Sequence, residues 1–128
     1  MTRKEEVKLL LEKSREFMET ASFQVKRGFY SLAVFSLEQA LQLFLKAKLL
    51  EEGVLYPRIH SIRKLLRMLA EVSPSRRECI EKLLERYAVE LGCLEDAYIT
   101  SRYAPREFER EEVHRLRQVV EEVMKAVT

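Results

Sequence analysis

The sequence predicts an all-α fold, an antiparallel up-and-down bundle of four long helices and one short one. Three observations lead there. Glycine and proline number 3 each in 128 residues, too few to turn the chain of a many-stranded sheet. Apolar residues recur at three- and four-residue steps along most of the chain, the period of a helix with one buried face. Charged residues make up 34% of the total, mixed in sign, with a formal net charge of +2. No long block of one sign demands nucleic acid as a partner. The length suits one domain, residues 1–128, with a real core.

The elements follow in order. Thr2 is placed to cap a first helix, with Glu5 three residues on in capping-box spacing. Val7, Leu10, Leu11, Ser14, Phe17, Met18, Ala21 and Val25 mark its inner stripe, and Gly28 supplies the stop. A second helix runs from Phe29 to about Glu52 and is apolar over most of its circumference, which puts it in the middle of a bundle. Its length invites comparison with a membrane span, but Glu38, Gln39, Gln42 and Lys46 lie inside it and each is costly in hydrocarbon. Gly53 ends it, and a short connection through Pro57 leads to His60 or Ser61, where a shorter helix opens with Ile62, Leu65, Leu66, Leu69 and Val72 inward.

Ser73 and Pro74 read as the next cap and first helical position. The fourth helix then runs to about Tyr98, with Ile80, Leu83, Leu84, Tyr87, Leu91, Leu94 and Tyr98 on its stripe. Gly92 within it marks close packing or a bend, because glycine lowers helix propensity. The last helix spans roughly Arg106 to Ala126, with Val113, Leu116, Val120, Val123 and Val127 on one face. Valine is a mediocre helix former, so packing must hold this helix. Cys79 and Cys93, 14 positions apart on one helix, lie about 20 Å from each other and read as reduced, packing cysteines of a cytoplasmic protein. The opening "MTRKEEVK" carries charge where a secretory signal needs an apolar stretch.

A glycine-rich phosphate loop, a His-Glu-x-x-His or paired-cysteine metal motif, and a GxSxG elbow are all missing from the sequence. With His60 and His114 the only histidines, a His-rich metal site is excluded, and neither metal nor cofactor is expected. A conventional stand-alone enzyme is a poor fit. Three polar groups remain. Gln39, Gln42 and Lys46 share one face of the second helix, either as a solvated strip or as the lining of a groove. His60 and Ser61 open the short helix, where free backbone donors favour an anion such as phosphate; equally, Ser61 caps the helix while His60 packs. Asp96, Tyr98, Arg102 and Tyr103 surround the exit of the fourth helix in "YITSRYAP". There a guanidinium and a stacking ring would hold a nucleotide, or else the tyrosines pin the loop while Arg102 pairs with Asp96.

The run "YSLAVFSLEQALQLFLKAKLL", then "HSIRKLL", then "YITSRYAP" after a long helix resembles the HEPN domain family of prokaryotic helical-bundle proteins over nearly the whole chain. The resemblance implies a four- to five-helix bundle, usually dimeric, that works beside a small nucleotidyltransferase encoded as a separate chain and binds nucleotide or nucleic acid. One branch of that family consists of metal-independent ribonuclease toxins, with an Arg followed by four to six residues and a His. Here the positions at that spacing before His114 are Glu107, Phe108 and Glu109, and before His60 they are Gly53, Val54 and Leu55. Arg106 comes too early and Arg110 too late. Gln39, Lys46, His60 and the Arg102–Tyr103 pair match the non-nuclease branch.

The sequence therefore points to a non-catalytic HEPN binding module for a nucleotide or a nucleotidyltransferase partner. Its rivals are a ribonuclease toxin of a toxin–antitoxin pair and a purely structural assembly subunit. A homodimer is expected, because Leu32, Phe35, Leu43 and Leu50, with Val119 and Met124, exceed what one bundle seam buries. No membrane association is expected.

Overall fold

The computed structural model describes the backbone of residues 1–56, 58–103 and 106–128, and their side chains except those of 100–103. Six α-helices follow one another: α1 (Arg3–Lys26), α2 (Tyr30–Glu51), α3 (Ile62–Val72), α4 (Arg77–Arg86), α5 (Ala88–Tyr103) and α6 (Arg110–Val127). A 3-10 turn at Pro74–Arg76 precedes α4. The described residues contain no strand, and no helix among them is long and apolar enough to cross a membrane.

α2 is the axis of the molecule. Thirteen of its 22 residues are buried, so it must be covered on several sides, and α1, α3, α5 and α6 all pack on it. α1 covers one side through a narrow seam. Its buried residues Val7, Ser14 and Ala21 are seven apart, the repeat of two helices packed nearly parallel or antiparallel. Ser14 Oγ donates to the Ala40 carbonyl at 2.7 Å, which seats the α1 backbone close against α2. Leu37, Leu41 and Leu45 of α2 meet Leu65, Leu69, Leu91 and Val120 in the main core.

The caps follow the sequence. Thr2 Oγ1 accepts from the Glu5 amide at 3.1 Å. Gly28 and Gly53 adopt φ of 76° and 79°, the left-handed conformation that only glycine takes without strain. In both turns the glycine amide and the one after it return to the helix, Gly28 to Val25 and Phe29 to Gln24, Gly53 to Leu50 and Val54 to Leu49, each a complete Schellman closure.

The structure departs from expectation in four places. The helix expected to end at about Tyr98 runs to Tyr103, so Arg102 and Tyr103 lie in its last turn and not in a loop after it. The fourth helix is two helices, broken at Tyr87, where φ and ψ are −111° and 25°. The Tyr87 ring is wholly buried and its hydroxyl donates to Glu122 of α6; a ring fixed at both ends distorts the backbone here and not at Gly92. The last helix starts at Arg110, not Arg106, because Glu112 Oε1 caps the Glu109 amide at 2.8 Å. Phe108 just before that cap is buried in the same core as Val113, in the N′ and N4 positions of a hydrophobic staple. Finally, Leu50 and Val119 are buried within the chain, Leu50 beneath Val7 of α1 and Val119 in the main core, so neither is available to a dimer. Phe23, Phe29 and Leu32 around the α1–α2 turn, and Val89 and Ile99 on α5, are large apolar groups left exposed.

A Cβ built at Gly92 would meet the Arg63 guanidinium at 3.6 Å, ordinary contact. Gly92→Ala is therefore expected to stabilise the fold by about 0.5–1 kcal/mol through helix propensity. Thermal melts read the gain, and a lowered melting temperature would refute it.

Candidate functional site

The polar residues inside the axial helix form one chain of hydrogen bonds that leads from the core to the surface. It begins at Glu38, which is fully buried. Gln39 Nε2 donates to Glu38 Oε1 at 2.7 Å, and Gln42 Nε2 to Glu38 Oε2 at 2.8 Å. A buried carboxylate is tolerated only when such donors replace water. With its amide nitrogen turned to Glu38, Gln42 must present its oxygen outward. That oxygen accepts from Lys46 Nζ at 2.9 Å and meets His60 Nδ1 at 3.2 Å. Two donors from different elements thus converge on one atom.

Aromatic rings wall this point. The His60 ring stacks on Tyr98 of α5, centroids 4.1 Å apart and planes 19° from parallel, and Tyr98 in turn lies 6.3 Å from Phe35. The Lys46 ammonium sits over the Tyr56 ring at 5.5 Å, a cation–π contact. Burial lowers the Lys46 pKa below its ordinary 10.5, and the Glu38 charge pulls it back only in part. Tyr56 goes the other way: burial, then the Glu6 carboxylate to which its hydroxyl donates at 3.3 Å, raises the phenol. His60 is exposed and Lys46 half-buried, so solvent reaches both.

The sequence candidates separate here. Gln39, Gln42, Lys46, His60 and Tyr98 come together. Ser61 and Asp96 belong to a neighbouring arrangement, in which the N-terminus of α3 is already occupied. Glu95 of α5 accepts from Ser61 Oγ at 2.7 Å and from the Arg63 amide at 2.9 Å with one oxygen. Its other oxygen accepts from Arg63 Nη2 at 2.7 Å and Nε at 3.1 Å. Ser61 Oγ also caps the Lys64 amide at 3.2 Å. The donors that would greet a phosphate are thus satisfied by a side chain of the protein itself. Asp96 is exposed and adds its charge beside Arg63. Pro57 and the side chains of Ser101, Arg102 and Tyr103 lie outside the described residues, as do Ala104 and Pro105.

Sequence reasoning passed over Glu38 as a site residue, and it passed over Tyr56, Glu95 and Arg63 altogether. For Glu38 a signal existed, since a carboxylate in the middle of the most apolar helix needs a reason. Nothing in periodicity announces the other three, whose hydrogen-bond partners lie 32 or more positions away.

Burial pushes the Glu95 carboxyl up, but the hydrogen bonds from Arg63 and Ser61 and the guanidinium charge outweigh it, leaving its pKa below the ordinary 4.5. A carboxyl depressed in the folded state contributes stability that is complete above the unfolded value and vanishes as pH falls through the folded one. Glu95→Gln is expected to cost about 1–2 kcal/mol at pH 7, since the charge-assisted bonds are strong but Arg63 is partly solvated. The difference from wild type should shrink below pH 4.5 in denaturant titrations; a difference independent of pH would refute the ionic account.

No curated protein matches this chain. Among solved structures it is similar to the crystal structure of TT1696 from Thermus thermophilus, with 26% identity, 94% of each chain covered and a TM-score of 0.76. The HEPN domain model matches residues 7–128, a span that takes in Glu38, Gln42, Lys46, His60 and Tyr98 together. On that match, with a helical fold to bear it out, the chain belongs to the HEPN domain family.

Proposed function

We propose that this HEPN chain is a non-catalytic binding module that receives the phosphate of a nucleotide, or an anionic group of a separate nucleotidyltransferase, where Lys46 and His60 meet. One observation carries the reading. Lys46 is held by a neutral amide oxygen and an aromatic face; among the described residues it forms no salt bridge, the Glu38 charge acting on it only at longer range, so it can meet an incoming anion. His60 meets the same oxygen through Nδ1, which sets its ring beside Lys46. Tyr98, stacked on His60, and Tyr56, beneath Lys46, line the site with aromatic rings. Gln39 and Gln42 orient the site from below through Glu38. Arg102 and Tyr103 follow Tyr98 by one turn of α5 and stay in the proposal as a cation and an aromatic, on their sequence positions.

The test is equilibrium binding of ATP. Lys46→Ala and His60→Ala should each weaken it about tenfold, the worth of one charge-assisted contact, with helicity unchanged. Affinity unaltered in both variants, or no binding of ATP or of a co-expressed transferase, would end the reading.

A second reading, the ribonuclease toxin, rests on Arg110 and His114 lining one cleft a turn apart on α6. They fall one residue short of the toxin spacing, and His114 faces Gln118 at 3.3 Å. Purified protein is expected to leave single-stranded RNA intact; metal-independent cleavage abolished by His114→Ala would replace the binding module with the nuclease.

The module is proposed to act as a symmetric dimer. Phe29 and Leu32, each 45% exposed, with Phe23 at 59%, give a compact apolar surface at the α1–α2 turn. Sedimentation should find a dimer at micromolar concentration and a monomer for Leu32→Glu. A monomeric wild type would refute the assembly.

A further inference from the structure

Gln42 is a buried amide, 4% exposed, with charge on both sides of it. On its inner side the fully buried Glu38 carboxylate accepts from Gln42 Nε2 at 2.8 Å. On its outer side the Lys46 ammonium, which has hydrogens to give and no lone pair, donates to Gln42 Oε1 at 2.9 Å. Turning the amide over would set its oxygen against the carboxylate and its NH2 group against the ammonium. The two ends of a glutamine amide are nearly alike in shape, and here the neighbours on both sides choose between them.

That choice is passed to His60, which comes just before α3. His60 Nδ1 lies 3.2 Å from the same Gln42 oxygen. An amide oxygen has no hydrogen to share, so Nδ1 must carry one. The ring is held in this orientation by its stack on Tyr98 of α5, with centroids 4.1 Å apart and planes 19° from parallel. A neutral imidazole has a single N–H. With that hydrogen on Nδ1 and directed at Gln42, Nε2 carries the lone pair and accepts hydrogen bonds. In water the Nε2–H form is the preferred one, so the protein reverses the usual choice of the ring. His60 is exposed, and an occupant of the site meets it in that form.

We propose that Gln42 is a positioning residue that fixes neutral His60 in its Nδ1–H form, so that the site sets a cationic donor, Lys46, beside an acceptor, His60 Nε2. Resting on the phosphate reading above, this narrows the occupant. A bare phosphate satisfies Lys46 alone, because its oxygens and the lone pair on Nε2 repel. A phosphate with a hydroxyl on the neighbouring carbon satisfies both, its anionic oxygen at Lys46 and its O–H at Nε2. Lys46 Nζ and His60 Nδ1 contact one oxygen, so their separation cannot exceed the sum of those two contacts, and vicinal groups span a gap of that size. Among nucleotides that pattern is a 2′-hydroxyl beside a 3′-phosphate, which ribonucleotides have and deoxyribonucleotides lack.

Long-range hydrogen–nitrogen NMR on the full chain, at about pH 8.5 where an ordinary imidazole is neutral, reads the tautomer directly. His114→Gln assigns the signals by leaving His60 the only imidazole. Wild type should show Nδ1–H, and Gln42→Leu should revert to Nε2–H. Thermal melts establish that the variant is folded, and wild type alone decides the tautomer if it is not. Nε2–H in wild type, or Nδ1–H kept in folded Gln42→Leu, would overturn the positioning. Equilibrium binding of adenosine 3′-monophosphate tests the occupant. It should be about fivefold tighter than that of the 2′-deoxy compound, the strength of one hydrogen bond, and His60→Ala should erase the difference. Equal affinities in wild type, or a preference that survives His60→Ala, would overturn the hydroxyl. Binding of neither compound, with the tautomer as expected, would end the phosphate reading and this occupant with it, while Gln42 would stand as the residue that sets His60.

Discussion

The burial of α2 is the constraint on which the rest of the molecule depends. A helix apolar on most sides has no stable place in water, and four other helices are disposed to enclose it. Enclosure creates a second demand, because the helix is not wholly apolar. Ser36 donates to Gln24 Oε1 at 2.6 Å, and Glu38 is met by two amide groups. Every polar atom taken out of water must find a partner, and each partner found passes the requirement one step outward. Among the described residues the path reaches the surface at Lys46 and His60. Packing and the candidate site are therefore linked: the same amide that reconciles Glu38 with the core receives Lys46 and His60, which solvent reaches.

A second set of polar ties holds the covering helices to one another. Glu95 locks the start of α3 to α5. At the opposite end Arg76 gathers three segments, reaching Glu52 after α2 at 2.9 Å, Ser73 at 3.0 Å and the Val127 carbonyl at the end of α6 at 2.8 Å. These contacts join places distant in sequence at the two ends of a bundle whose middle is held by apolar packing. They fix how α3, α4 and α6 are set around α2, which hydrophobic burial, being non-directional, leaves loosely determined.

Periodicity and capping chemistry made most of the helices legible in the sequence. Thr2 with Glu5, the glycines at 28 and 53, and Ser61 ahead of Ile62 each act within a few residues, and local signals of that kind survive in a string of letters. The break at Tyr87 was hidden because its cause is Glu122, 35 positions on. The start of the last helix was misplaced because Phe108, read as part of the helix, enters the core ahead of it. Part of the site was visible for a local reason, Gln39, Gln42 and Lys46 being spaced along one face. Their order of connection was not, since it depends on Glu38 being inside and on His60 arriving from another element. The occupied α3 terminus shows the same limit: a helix start announces donors, and only the fold reveals that Glu95 has met them.

The central place of α2 also bears on how the chain becomes folded during synthesis. Its own sequence is complete at residue 51, when only α1 exists to shelter it, and α1 covers a single seam. The helices that close the other faces end at residue 127. At ordinary elongation rates that interval is roughly 4–15 s, far longer than the microseconds a helix or a helical hairpin needs to form. The nascent protein therefore passes through a stage in which a paired α1–α2 unit presents Leu41, Leu45 and Leu49 to the surroundings. Vectorial synthesis makes the most apolar segment wait longest for its cover, and places this fold among those for which ribosome-proximal chaperones matter more than its size suggests.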